Sequence, residues 1–185
     1  ANPGVASSTS HGMANGAIGY FSDTTEGMNE LAGAAFSVAN QATSTFELQA
    51  ENTTSYGTFT SGTFTPVLTW STLSTATSYS IGDAAADQID TTTLLDRQKQ
   101  SEIGLLASQT VTIEGFSDPQ SAAALLIRAA ALNVSYVVVR ITLSNGERRI
   151  FRGMPSLPGE SLSVGQKATG SLTFAVRGKV GMLVA

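Results

Sequence analysis

The chain of 185 residues has no cysteine, a single histidine and few charged side chains. Without cysteine it forms neither disulfides nor thiolate metal sites. Asp, Glu, Lys and Arg make up 13% of the residues, about half the usual share for a soluble domain. Gly, Ser, Thr and Ala take their place, and such a surface indicates extensive contact with other protein. The alternative is a secreted or low-complexity β protein.

Long apolar runs are also missing. A helix that spans a bilayer needs about 18 apolar residues, and no stretch approaches this length. Ala1–Gly19 has neither the basic segment nor the apolar run of a secretory signal. The small Ala1 in place of Met is expected after cytosolic processing of a complete N-terminus. These features predict a soluble protein that is made in the cytosol and does not bind membranes.

Residues suited to catalysis or metal binding are scarce. His11 lies in an irregular N-terminal segment, so a Ser–His–acid site would depend on a mobile residue, and a surface histidine is the favoured interpretation. Asp83, Asp87 and Asp90 lack the alternating ligands and closing Glu of a calcium loop, which favours a solvated loop. No glycine pattern lies between a strand and a helix to hold phosphate. We therefore predict no catalytic, cofactor-binding or metal-binding residues, and no enzyme activity.

The charges divide unevenly along the chain. Residues 1–96 contain nine acidic residues and no Lys or Arg, whereas residues 97–185 contain all 10 basic residues and five acids. The two parts carry −9 and +5, which together give the net charge of −4. Opposite faces of the folded chain could carry opposite charges, so that copies associate head to tail. Alternatively, the charges interleave once the chain folds.

A group of basic residues in the C-terminal strands could contact nucleic acid. The group has few interleaved aromatic residues, and the pI of about 4.9 is far below that of a typical DNA-binding protein. Ion pairs between subunits, or ordinary solvated strand faces, explain the group better. It comprises Arg140, Arg148, Arg149, Arg152, Arg177 and Lys179.

The N-terminal part has a weak pattern. Residues 1–21 are rich in Gly, Ala, Ser and Asn without a clear period, which is typical of an arm. Apolar residues then fall at helical spacing from Met28 to Ala39. Strand-forming residues follow in Thr45–Glu51 and Phe64–Leu73. We predict an extended arm with a possible short helix at 1–43 and a β domain at 44–185.

The C-terminal part has a clearer order of elements. A helix is expected at 119–132, with Asp118 as N-cap and Pro119 as its first residue. It is apolar nearly all round, which indicates burial on more than one side, with a neighbouring subunit as one cover. The whole pattern predicts a mainly β fold, an antiparallel barrel or sandwich with one principal flanking α-helix. The strands are expected at Ser108–Phe116, Ser135–Leu143, Arg148–Arg152 and Gly170–Lys179, with a loop at Gly153–Gly165.

Residues 64–182 resemble the major tail tube proteins of long-tailed, siphophage-type bacteriophages. Each matching segment is short, and their order carries the resemblance. The segments are Trp70–Ser80, Gln88-Ile89-Asp90-Thr91-Thr92-Thr93-Leu94, Gly104-Leu105-Leu106, Thr110–Glu114, Pro119–Leu132, Asn145–Gly153 and Ser171–Gly181. Residues 1–43 are longer than the usual lead-in of this family.

The resemblance implies a virion protein whose sheets join in a homohexameric ring. Stacked rings would form a tube that conducts DNA without specific binding, assembled in the host cytoplasm. Its partners would be itself and the tape measure, tail tip and tail terminator proteins. We expect contacts between rings at Ser55–Gly62 and in the 82–87 loop, and contacts around the ring or with the tube exterior at helix 119–132.

The alternative is a β-rich binding module that does not polymerise, such as a head–tail completion protein or a carbohydrate-binding domain. Such a module should expose an aromatic platform. Trp70, the sole tryptophan, lies in a segment that we interpret as core.

Overall fold

The computed structural model describes residues 1–23 and 25–184. Within them the chain forms antiparallel strands and one α-helix, and the predicted mainly β fold is confirmed. The strands are β1 Gly4–Ser7, β2 Ile18–Phe21, β3 Ala35–Ala39, β4 Thr45–Leu48, β5 Phe64–Pro66, β6 Ala76–Ile81, β7 Ala86–Asp90, β8 Ser101–Leu106, β9 Thr110–Phe116, β10 Val137–Thr142, β11 Arg148–Pro155, β12 Gly159–Ser161 and β13 Thr169–Leu183, and the helix is α1 Ala122–Leu132.

The N-terminal sheet has the strand order β1-β4-β3-β2-β5. Alternation in β4 places Phe46 and Leu48 inward, while Glu47 faces the other way and accepts a hydrogen bond from Asn40. Phe21 packs edge-on against Phe36, with ring centroids 5.9 Å apart. This sheet therefore has an aromatic core of its own.

The structure replaces the predicted N-terminal helix with other elements. A short 3-10 turn at Asn29–Leu31 is followed by Gly33, at a φ of +70°. The chain then enters β3, where Ala35–Val38 are buried. Gly33 supplies a left-handed backbone conformation that ends helical geometry, and pairing with β2 and β4 overrides the local propensity for helix.

Residues 1–21 are likewise ordered rather than irregular, because β1 and β2 both pair within this sheet. β3 and β4 lie on either side of residue 43 and pair with each other in one hairpin. The division of the chain into an arm at 1–43 and a domain at 44–185 stays a prediction, and this pairing joins residues from both sides of the boundary in one sheet.

The C-terminal sheet has the order β10-β11-β13-β9-β6, and β12 pairs with β13. Because side chains alternate between the two faces of a strand, Val111, Phe151 and Phe174 all lie on one face, which is apolar. The Phe151 and Phe174 rings lie 5.7 Å apart, and Ile127 of α1 packs in the same cluster. This helix-side face forms the second core.

The opposite face of the C-terminal sheet has two parts. Ile150 and Leu183 pack against Ile18 and Ala35, which places the N-terminal sheet over one part. The other part stays uncovered and carries small hydroxyl side chains. We call it the hydroxyl face, and it consists of Ser78, Ser80, Thr110, Thr112, Ser171 and Thr173.

The helix begins about one turn later than predicted. Ser121 is its N-cap, and the Ser121 hydroxyl accepts a hydrogen bond from the backbone N–H of Ala124 at 3.3 Å. Asp118 and Pro119 instead form the preceding turn, in which the Asp118 carbonyl accepts from the Ser121 N–H. The predicted last residue, Leu132, is confirmed, and Asn133 is the C-cap.

Two further predictions of regular structure were wrong. The expected strand at Phe64–Leu73 ends at Pro66, since proline cannot continue a ladder. Trp70 is consequently 39% exposed rather than core, and the Arg140 guanidinium lies 4.8 Å above its ring. The expected loop at Gly153–Gly165 contains the end of β11 and all of β12.

Candidate assembly surfaces

An ion-pair cluster joins the two sheets, and we call it the Asp23 joint. Arg152 Nη1 lies 2.7 Å from Asp23 Oδ1, and Arg177 Nε lies 3.5 Å from the same oxygen. The Arg152 guanidinium is also held between the rings of Tyr20 and Tyr136, at 4.7 and 4.5 Å. The hydrogen bond from Arg152 lowers the pKa of Asp23 below its ordinary value, because it favours the carboxylate.

A second cluster connects the N-terminal half to β13. Lys179 Nζ lies 2.6 Å from Glu51 Oε1 and 3.1 Å from the hydroxyl of Tyr56, which donates to the same carboxylate. Burial, followed by the hydrogen bond to Glu51, raises the pKa of Tyr56. Burial alone would lower the pKa of Lys179, but its hydrogen bonds to Glu51 and Tyr56 raise it above the ordinary value.

These contacts pair acidic residues of 1–96 with basic residues of 97–185. Among the described residues, four of the five ion pairs join an acid of 1–96 to a base of 97–185. Interleaving within one subunit is therefore confirmed for these pairs. Most of the predicted basic group is engaged inside the chain, since Arg149 contacts Glu147 and Arg140 covers Trp70.

The helix presents an uncovered apolar face. Ala123, Ile127 and Ala130 are buried against the C-terminal sheet. Leu125 and Leu126 are each 49% exposed, and Leu132 is also exposed. The C-terminal sheet of the same subunit therefore covers one side of the helix. The other side, which we call the Leu125–Leu126–Leu132 face, remains exposed in the isolated subunit.

The hairpin of β7 and β8 forms a separate two-stranded sheet that is exposed on both faces. It leaves the C-terminal sheet where β6 ends and β9 begins. There the Gly82 N–H donates to the Thr110 carbonyl at 2.7 Å. The predicted 82–87 loop is thus the base of a hairpin. Its exposed apolar residues are Ile89, Leu94, Leu95, Ile103, Leu105 and Leu106.

The Ser55–Gly62 segment packs back on its own subunit. The Thr60 N–H donates to the Glu26 carbonyl at 3.0 Å, and Ser61 bridges to Glu26. The Phe59 ring lies 6.3 Å from that of Phe21 and remains partly exposed. A role of this segment in contacts between rings stays a prediction.

A groove of about 370 Å³ opens at the end of the C-terminal sheet opposite to the hairpin. Its lining comes from residues around the start of β6, the end of β9, α1, the link before β12 and the start of β13. Asp118, Glu160 and Arg128 also line the groove. Lys167 Nζ lies 4.4 Å above the Phe116 ring, whereas the Glu114 carboxylate accepts a hydrogen bond from Ser78 on the hydroxyl face. The large apolar lining residues are Leu73, Ile113, Phe116, Leu157 and Leu172.

Comparison with known proteins identifies the family. The family model described as "Phage tail tube protein, TTP" matches residues 26–185. This chain belongs to the phage tail tube protein family. The resemblance found in the sequence is thereby confirmed, and the chain is a structural protein of the virion tail.

One similar solved structure is a chain from the tail of an empty GTA particle, computed with helical refinement and C6 symmetry. It is 15% identical over 61% of this chain and 85% of that chain, with a TM-score of 0.47. No curated protein matches the sequence.

The isolated sites considered in the sequence have ordinary structural roles in this tail tube protein. His11 is not on a mobile arm, because its Nε2 lies 3.2 Å from the Thr45 carbonyl and its ring packs edge-on against Phe46. Asp90 accepts from the Thr92 N–H and pairs with Lys99 at 3.6 Å. Sequence reasoning missed the Asp23 joint, since no local pattern links residues so far apart.

The described residues contain neither a metal-binding cluster nor a helix that could span a membrane. Within 1–23 and 25–184, no group of three or more His, Cys, Asp or Glu side chains could hold a metal ion. In the same part of the chain, no helix has both the length and the apolar character needed to cross a membrane.

Proposed function

We propose that this protein assembles into rings of six, as the family resemblance implies, and that stacked rings form a tail tube through which DNA passes. The observation that carries the proposal is the tail tube family match over residues 26–185. The protein acts as a structural component without enzyme activity, and it functions in the virion tail after assembly in the host cytoplasm.

The hydroxyl face suits the wall of a DNA channel. Its six side chains all end in hydroxyl groups. Among the described residues, the one charged residue that lies directly opposite any of them is Glu114, which pairs with Ser78 and Ser171. Several cationic contacts to phosphate would give strong, salt-dependent binding, and this face offers none of them. DNA would therefore slide past it without being held.

The edge of β6 suits contacts within a ring. Among the described strands β6 pairs only with β9, so its outer N–H and C=O groups have no partner strand. An unpaired edge is a template for pairing with another chain. We infer that adjacent subunits use this edge to continue the sheet around the lumen.

The Leu125–Leu126–Leu132 face suits a neighbour in the same ring or a protein on the tube exterior. Large apolar residues clustered on one side of a helix commonly mark an interaction surface. The remaining partners, namely the tape measure, tail tip and tail terminator proteins, would bind at the inside and at the ends of the tube.

The test is a concentration series of the purified protein, with and without tail tip complexes, followed by negative-stain electron microscopy and sedimentation. We expect rings or tubes with a lumen wide enough for duplex DNA. A protein that stays a single subunit at every concentration, even beside tail tips, would contradict the proposal and favour the binding-module alternative.

A further inference from the structure

A cleft of about 230 Å³ lies between the two sheets, and we call it the inter-sheet cleft. One wall consists of residues 35–37 of β3 and residues 49–51, and the other consists of Ile150 of β11 and residues 179–183 of β13. We propose that this cleft is a binding site for ordered water, which completes the hydrogen bonding of the buried Ser37 hydroxyl. The site belongs to the single subunit, so the inference does not depend on the proposed tube.

The Ser37 hydroxyl is the group that would hold the water. Ser37 is 1% exposed, and among the buried side-chain N and O atoms of the described residues its Oγ is the one without a hydrogen bond. Strand alternation places Ser37 on the same face of β3 as Ala35, which packs with Ile150 and Leu183 of the C-terminal sheet. Ile150 and Leu183 also line the cleft, so the hydroxyl is directed into it.

The cleft exists because β4 pairs with only part of β3. The paired residues of β3 are Val38 and Ala39, and beyond them the Gln49 N–H donates to the Ser37 carbonyl at 2.9 Å. Ala50 then adopts a φ of +61°, a left-handed conformation that ends the strand. The edge of β3 at residues 35–36 therefore opens into the cleft instead of continuing the ladder with β4.

The charges of the cleft favour a neutral ligand. Its two charged lining residues, Glu51 and Lys179, pair with each other at 2.6 Å, and the Tyr56 hydroxyl donates to the same carboxylate oxygen. A cation in the cleft would be repelled by the Lys179 ammonium, and an anion would be repelled by the Glu51 carboxylate. Water carries no charge and both donates and accepts hydrogen bonds, as a serine hydroxyl does.

The size and polarity of the cleft suit water. One molecule occupies about 30 Å³ in the liquid and needs two to four polar partners, so the cleft has room for several. The Ser37 hydroxyl and the open backbone edge of β3 supply such partners. The N-terminal sheet thus meets the C-terminal sheet through a dry contact around Ile18 and Ala35 and through a hydrated one at Ser37.

Removal of the hydroxyl tests whether it has a water partner. Loss of a hydroxyl that is hydrogen-bonded to water should lower the midpoint of urea unfolding, whereas loss of a buried hydroxyl with no partner removes a desolvation penalty and should raise it. We expect Ser37→Ala to lower the midpoint. The matched control is Ser80→Ala, which removes an exposed hydroxyl in β6 and should have little effect. An unchanged or raised midpoint for Ser37→Ala overturns the proposal.

Magnetic relaxation dispersion of the water oxygen detects the bound molecules directly, because it counts waters that stay on the protein for longer than its tumbling time. Ser37→Val fills the space beside the hydroxyl with methyl groups and should reduce the dispersion amplitude by the equivalent of at least one water. Ser80→Val should leave the amplitude unchanged. If Ser37→Val does not fold, the urea midpoint of Ser37→Ala decides the question.

Two further results would overturn the assignment to water. One is an equal dispersion amplitude in folded Ser37→Val and in the unmodified subunit. The other is a urea midpoint that rises with calcium chloride or potassium chloride at constant ionic strength in the unmodified subunit but not in Ser37→Ala, which would identify the ligand as a cation.

Discussion

Arg152 donates a hydrogen bond to Asp23 at 2.7 Å although the two residues are 129 positions apart in the chain. The Arg152 side chain is only 12% exposed, so its charge depends on this carboxylate and on the rings of Tyr20 and Tyr136. One acid and two arginines therefore add a polar contact to the apolar packing of the N-terminal sheet on the C-terminal sheet.

Replacement of Asp23 should weaken this joint. Asp23→Asn leaves a largely buried guanidinium without its carboxylate, and we expect the free energy of unfolding to fall by about 1–2 kcal/mol. Urea unfolding at pH 7 measures the change. Asp90→Asn is the control, because the Asp90–Lys99 pair at 3.6 Å is exposed to solvent and should contribute little to stability. Equal effects of both variants would contradict the role of the joint.

Acid should weaken the same joint. The folded-state pKa of Asp23 is depressed, so its contribution to stability is complete above the ordinary value of 3.8 and is lost as the pH falls through the folded-state value. Urea unfolding between pH 6 and pH 2 should show this loss. Asp23→Asn should flatten the profile only in part, because the pKa values of Asp90 and Asp96 are also depressed. An identical profile in the variant would exclude Asp23 as a source of the acid sensitivity.

Gly33 is required by both its conformation and its surroundings. It has a φ of +70°, and a Cβ there would lie 2.7 Å from Cγ of Arg177, next to the Asp23 joint. Gly33→Ala should lower the melting temperature and cost about 2–3 kcal/mol. Gly12→Ala is a matched control, since Gly12 has a φ of +64° and nothing within 4 Å. It should cost only the conformational part, and a similar loss in both variants would show that crowding at the joint is unimportant.

Substitutions at two adjacent helix residues should have different effects, one on the stability of the subunit and the other on assembly. Ile127 is 9% exposed in the core, and Ile127→Ala should destabilise the subunit by about 2–4 kcal/mol. Leu126 is half-exposed, and Leu126→Asp should leave the melting temperature of the subunit nearly unchanged while it reduces the yield of rings and tubes. Thermal unfolding and sedimentation measure the two effects. Normal assembly of Leu126→Asp would exclude this face as a contact.

The clearest predictions came from strands whose two faces differ. In Ser108–Phe116 and Gly170–Lys179, large aliphatic or aromatic residues alternate with Thr, Ser and Ala, and both stretches are strands in the structure. The N-terminal prediction failed because small residues dominate there. Ala34–Val38 are buried throughout, so they show no alternation, and the Ala and Leu content resembled a helix.

The sequence by itself determined the mainly β class, the helix that ends at Leu132 and the tail tube resemblance. Each of these depends on local periodicity or on the order of short segments. Tertiary structure alone decided that Asp23 meets Arg152, that Glu51 meets Lys179, and that the hairpin and the groove lie at opposite ends of β6 and β9. These relationships join residues far apart in the chain, and their positions follow from strand pairing and core packing rather than from any local pattern.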